Sequence, residues 1–126
     1  MTLWEEFRQR RKQQNAAILA TDVRHFRRFF ALDGATYEEG ALPRRIKELM
    51  GLVASLVLRC NDCILYHLDQ ALHYGATRQE IYEALSIGLI VGGSIVIPHL
   101  RFTIEALEQW HPEESSPYAT DSPSGN

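Results

Sequence analysis

Between Ile46 and Leu56 the apolar residues Ile46, Leu49, Met50, Val53 and Leu56 return every three or four positions. That is the interval at which side chains share one face of an α-helix. The same period runs through Leu19, Val23, Phe26 and Phe30, and through Ile81, Ala84, Leu85 and Leu89. The β-branched patches, Val53 to Val57 and Ile95 to Ile97, lie inside helical periodicity rather than in an alternating pattern. The pattern predicts an all-α chain of about five to six helices.

Cap signals divide these helices. Thr2 and Glu5 form a T-x-x-E capping box that opens a first helix, and residues 1–32 read as an N-terminal helical extension. Asp33-Gly34 and Gly40 mark Leu32 to Leu42 as a connection. Pro43 suits the first position of a second helix. A third should begin close to Cys60 and run to about Tyr74, with Gly75 as its left-handed cap. Thr77 and Glu80 repeat the capping box and open a fourth. Gly92-Gly93 breaks that helix, and a last one runs from Ser94 or Pro98 to Trp110, ended by His111-Pro112. Residues 1–111 are expected to form one domain. Residues 112–126, rich in Ser, Pro and acid, are expected to be a disordered tail.

The 126 residues suit one domain of ordinary size. A formal charge of −3 and a pI near 5.9 give no electrostatic case for nucleic acid. The basic runs Arg8, Arg10, Arg11, Lys12 and Arg24, Arg27, Arg28 read as solvated helix faces, with an anionic partner as the rival reading. The longest apolar stretch, Ile87 to Pro98, is too short to span a bilayer, and the first residues lack the apolar core of a signal peptide. No membrane partner and a cytoplasmic setting are expected. The apolar character of more than one face around Ile87 to Ile97 points to self-association.

Only two cysteines are present, Cys60 and Cys63, with His67 one turn further on. On a helix, positions 60, 63 and 67 fall within an arc of roughly 60°. Residues three apart have Cα atoms roughly 5 to 6 Å apart, a separation a disulfide accepts. A free thiol with pKa about 8.5 is only about 3 % ionised at pH 7. Helix N-terminal N–H groups and a nearby imidazole both favour the reactive thiolate. Glu48, on the preceding helix, can orient the imidazole or relay its proton. Other readings stay open: packed thiols, a zinc site completed by His73, His99, His25 or a carboxylate, a core His67, or a surface Glu48.

Glu48, eleven residues, Cys60-x-x-Cys63-x-x-x-His67, then Gly75, Thr77-x-x-Glu80 and the Gly92 to His99 segment resemble the carboxymuconolactone decarboxylase family. The likeness is to its alkylhydroperoxidase D-like redox branch and covers roughly Leu42 to Leu107, a core motif region of residues 42–107. The resemblance implies an all-α fold with a CxxC-bearing helical hairpin, in a trimer or hexamer with sites near subunit contacts. It implies that Cys63 attacks peroxide, Cys60 resolves, His67 is the general base and Glu48 stands behind it. Some members carry a histidine between the cysteines, where this chain has Asn61-Asp62. An acid at position 62 works against thiolate formation. True decarboxylases of the family generally lack the cysteine pair.

The expected function is a thiol-dependent oxidoreductase, a peroxidase or disulfide reductase, using no cofactor. A hydroperoxide or disulfide would be its substrate. An external thiol reductant, dihydrolipoyl or thioredoxin-like, would restore it. The alternatives are a non-redox enzyme on the same scaffold acting on a small cyclic acid, and a non-enzymatic helical oligomer with structural or zinc-binding cysteines.

Overall fold

A computed structural model describes residues 1–113. The expected disordered tail falls, from residue 114 on, outside the described residues. Among the described residues the chain is all-α, with helices α1 (Leu3–Ala20), α2 (Arg24–Tyr37), α3 (Arg44–Val57), α4 (Asn61–His73), α5 (Arg78–Gly92) and α6 (Ile97–Glu108). A 3-10 turn, Ser94–Val96, joins α5 to α6. None of these helices is long and apolar enough to cross a membrane.

The chain divides into two compact units. Of the described residues, the first comprises 1–38 with 111–113. Its α1 starts at the expected capping box: Thr2 Oγ1 accepts the Glu5 N–H, and the Glu5 carboxylate accepts the Thr2 N–H. His111 closes the unit, with Nε2 3.0 Å from Thr2 Oγ1 and its carbonyl accepting from Arg8 Nη2 at 2.7 Å. The periodicity from Leu19 to Phe30 does not make one helix. The chain turns at Asp22, where φ is +62°, a conformation that aspartate tolerates better than most residues. The predicted connection at Leu32 also starts late, because α2 continues through Asp33-Gly34 to Tyr37. One glycine costs a helix only about 1 kcal/mol relative to alanine, and Gly34 is not among the glycines with positive φ.

The second unit, Glu39–Trp110, carries the cysteines. Here α3 packs most extensively on α4 and then on α5, and α6 lies against α4. Leu52, Leu56, Ile64, Leu68, Ile81, Leu85 and Leu107 are almost wholly buried between them. Each such side chain contributes about 1.5–3 kcal/mol of transfer free energy. Gly88 allows the close approach of α5 to α3: a Cβ there would lie 2.8 Å from Leu56 Cδ2. Pro43 stands one position before its expected place, as the N-cap of α3.

The buried face of α3 is turned relative to the apolar stripe read from sequence. It comprises Arg44, Glu48, Leu49, Gly51, Leu52, Ser55 and Leu56, while Met50 is exposed. The face is centred on a charged pair, so a reading that looks only for apolar residues misplaces it. The outer side of α5 and the 3-10 turn is apolar, with Ile87, Ile90, Val91 and Ile95 all exposed and Ile90 82 % so.

Candidate active site

The site grows from the junction of α3 and α4. Arg59 takes φ +60° and turns the chain sharply after α3. Cys60 follows as the N-cap of α4, one position outside the helix in which the sequence placed it. Its carbonyl accepts the Ile64 N–H at 2.9 Å, and its Sγ accepts the Cys63 N–H at 3.2 Å. Sulfur here does what a serine or aspartate oxygen does at most N-caps. Cys60 and Cys63 are joined in a disulfide with Cα atoms 5.3 Å apart, inside the range that such a bridge accepts. Cys63 is exposed and Cys60 half-buried.

The same two helices, α3 and α4, hold a buried charge network. The Glu48 side chain is 0 % exposed. His67 Nδ1 lies 2.9 Å from Glu48 Oε1, and Arg44 Nε donates to Oε2 at 2.9 Å. A carboxylate only accepts, so Nδ1 carries the hydrogen and Nε2 is the basic nitrogen of the neutral ring. The Arg44 guanidinium lies over the Tyr74 ring, 4.6 Å from its centroid. Burial pushes the Tyr74 phenol above its ordinary pKa; the Arg44 charge opposes this and the Glu48 charge adds to it. Glu48 is therefore no surface glutamate, and one element pair holds both halves of the predicted relay.

Two contacts made by α3 and α4 have no counterpart in the sequence reading. His99, from α6, has Nδ1 2.7 Å from Asn61 Oδ1, so this imidazole donates to the first residue of α4. Arg44 holds Glu48 from the same helix, and its i,i+4 spacing to Glu48 is the ordinary sequence signal of a helical ion pair. The other two histidines considered for zinc lie elsewhere: His25 is exposed on α2, and His73 is exposed with its ring edge-on to Tyr74. Among the described residues no three or more His, Cys, Asp or Glu side chains are grouped to hold a metal ion.

Fold and site together describe a small all-α protein built around a paired-cysteine helix start. Residues 24–105 match the carboxymuconolactone decarboxylase family, and the chain belongs to that family. Within it the chain carries the Cys60–Cys63 pair. An uncharacterised protein of Cupriavidus necator is 39 % identical over 59 residues, and the match covers 47 % of this chain and 52 % of the relative. The chain thus spans about half the length of that relative. Uncharacterised protein 4 in the cox locus of Paracoccus denitrificans is 28 % identical over 81 residues, covering 64 % of this chain and 73 % of the relative. Two crystal structures of a Thermotoga maritima protein superpose with TM-scores of 0.81 and 0.78 at 52 % and 51 % identity. They cover 82 % of this chain, and 91 % and 87 % of the respective crystallised chains. That protein is of the same family, and a role in antioxidative response has been suggested for it.

Proposed function

We propose that this chain is a thiol-dependent oxidoreductase that cycles Cys60 and Cys63 between dithiol and disulfide. The observation that carries the reading is the placement of the cysteine pair at the start of α4, one turn from a histidine bonded to a wholly buried glutamate. In the reduced protein the exposed Cys63 thiolate attacks the O–O bond of a hydroperoxide. The alkoxide leaves as alcohol with the proton that His67 holds, and Cys63 becomes a sulfenic acid. The Cys60 thiolate then attacks that sulfur, water leaves, and the disulfide forms. In sum, two thiols and one hydroperoxide give one disulfide, one alcohol and one water. Glu48 orients the His67 ring for these transfers. In the disulfide-reductase form of the cycle, the same dithiol passes its electrons to a substrate disulfide.

An external dithiol, dihydrolipoyl or thioredoxin-like, closes the cycle. Its thiolate attacks the sulfur of the exposed residue Cys63, and Cys60 leaves as a thiolate already accepting the Cys63 N–H at 3.2 Å. The suggested antioxidative role of the Thermotoga maritima protein agrees with this chemistry. The apolar ridge of Ile87, Ile90, Val91 and Ile95 supports assembly into a trimer or hexamer. We place the protein in the cytoplasm, where such reductants act, and as a single domain over residues 1–111.

The test is the intact mass of the reduced, metal-free protein before and after one equivalent of hydroperoxide. A loss of two hydrogens within seconds is expected, blocked by Cys60→Ser and by Cys63→Ser and slowed by Glu48→Gln or His67→Ala. An unchanged mass, with thiols that alkylate no faster than free cysteine, overturns the peroxidase form of the proposal. Disulfide substrates would then be the next oxidants to try.

A further inference from the structure

The guanidinium of Arg44 is buried, with its side chain only 10 % exposed, yet among the described residues its Nη2 has no hydrogen-bond partner. On the guanidinium fork, Nε–H and Nη2–H point the same way and usually take the two oxygens of one carboxylate. Here Nε holds Glu48 Oε2, and the second oxygen, Oε1, goes to His67 instead. The unsatisfied Nη2 is what the split leaves behind. Leaving a buried donor unmet is costly, and so is burying a carboxylate without a cation. The arrangement accepts the first cost and avoids the second. The Tyr74 ring covers the guanidinium, and its face attracts the cation.

We propose that Arg44 is a positioning residue of the relay, gripping Glu48 by one oxygen so that the other is presented to His67. The inference rests on the thiol-redox reading above and adds to it a residue that acts only through Glu48. With Arg44 removed, a buried carboxylate faces His67 without compensation, and nothing fixes which oxygen points at the ring. Arg44 touches neither sulfur in this account. Its effect must therefore vanish when Glu48 can no longer play its part.

That dependence makes the test. Single-turnover oxidation of the dithiol by hydroperoxide is measured for Arg44→Met, Glu48→Gln and the double variant. The ring-nitrogen NMR signals of His67 are recorded in histidine-labelled protein at fixed pH. Each single variant is expected to slow oxidation by about ten- to hundredfold, part of the ~10²–10⁴ that a positioned base supplies. The double variant should be no slower than Glu48→Gln alone, and Arg44→Met should move the His67 nitrogen signals away from their wild-type positions. Additive losses, or His67 signals that Arg44→Met leaves in place, overturn the proposal. Should Arg44→Met fail to fold, Arg44→Lys keeps the cation without the fork. It is expected to shift the His67 signals part of the way, and wild-type signals and rate in that variant also overturn the proposal. If wild-type protein is not oxidised at all, the redox reading fails, and the NMR comparison alone decides the role of Arg44.

Discussion

The backbone N–H of Cys60 donates to the carbonyl of Ser55 at 3.1 Å, so the residue that caps α4 also finishes α3. With the Arg59 N–H bonded to Leu56 O at 3.0 Å, this completes a two-bond helix terminus around a left-handed residue. Glycine usually fills that left-handed place, as Gly75 does after α4 with φ +94°. Arg59 occupies it at φ +60°. A left-handed L-residue costs roughly 1–2 kcal/mol, and glycine gives back part of that through its freer unfolded chain. Arg59→Gly should therefore raise stability by about 0.5–1 kcal/mol. Urea unfolding of the oxidised protein checks this, and a loss of stability would mean that the arginine side chain makes a contact that outweighs the strain.

The exposures of the two cysteines predict which one meets an outside thiol. With Cys60→Ser, the remaining Cys63 should form a stable mixed disulfide with an aromatic disulfide reagent and trap a sulfenate-specific probe after peroxide. With Cys63→Ser, the half-buried Cys60 should do both more slowly. Stopped-flow absorbance for the first and mass spectrometry for the second measure the order, and a faster Cys60 would reverse the roles assigned here.

Glu80 supplies a pH prediction. Its carboxyl is held below the usual range, first by the Thr77 backbone N–H and also by Arg45, to which it is ion-paired. A lowered folded-state pKa stabilises the protein at pH above the unfolded value of about 4.3 and ceases to do so as pH falls through the folded value. Glu80→Gln keeps an oxygen for the Thr77 N–H and removes only the charge. Its Tm should lie below that of wild type at neutral pH, with the gap closing as the solution is acidified. A gap independent of pH would show that the charge has no part in it.

Gly93 ends α5 at φ +81°, ψ −172°, a region that essentially only glycine visits. Gly93→Ala should cost about 1–3 kcal/mol. Thermal unfolding would register it, and an unchanged Tm would mean that the α5–α6 junction is not held in this conformation in solution.

Much of this architecture was legible in the chain. Both capping boxes, the Gly75 stop and the Gly93 break stand where residue chemistry puts them, because each depends on a few adjacent residues. The spacing of Glu48, Cys60, Cys63 and His67 already named the residues that the hairpin brings together. What the pattern could not carry was context. Asp33-Gly34 reads as a turn by composition, yet α2 passes through it. The apolar stripe of α3 overlaps the buried face only at Leu49 and Leu56 and is centred to one side of Arg44 and Glu48, whose burial was not written in their own hydrophobicity. His99 meets Asn61 across 38 positions of chain, a distance at which no local rule operates.

The compactness of the α3–α4 hairpin bears on the order of folding. Glu48 and His67 are 19 positions apart, and Arg44 and Glu48 only four. Contacts of such short range demand little loop closure, and helical hairpins assemble early on that account. The Arg44–Glu48–His67 network is thus expected to be in place before α6 arrives to set His99 against Asn61. The bridge between Cys60 and Cys63 closes a loop of only three residues of separation, so it restrains the unfolded chain far less than a long-range disulfide would. Reducing so short a loop should therefore change the stability of the fold little, and the proposed cycling would ask for no unfolding of the helices.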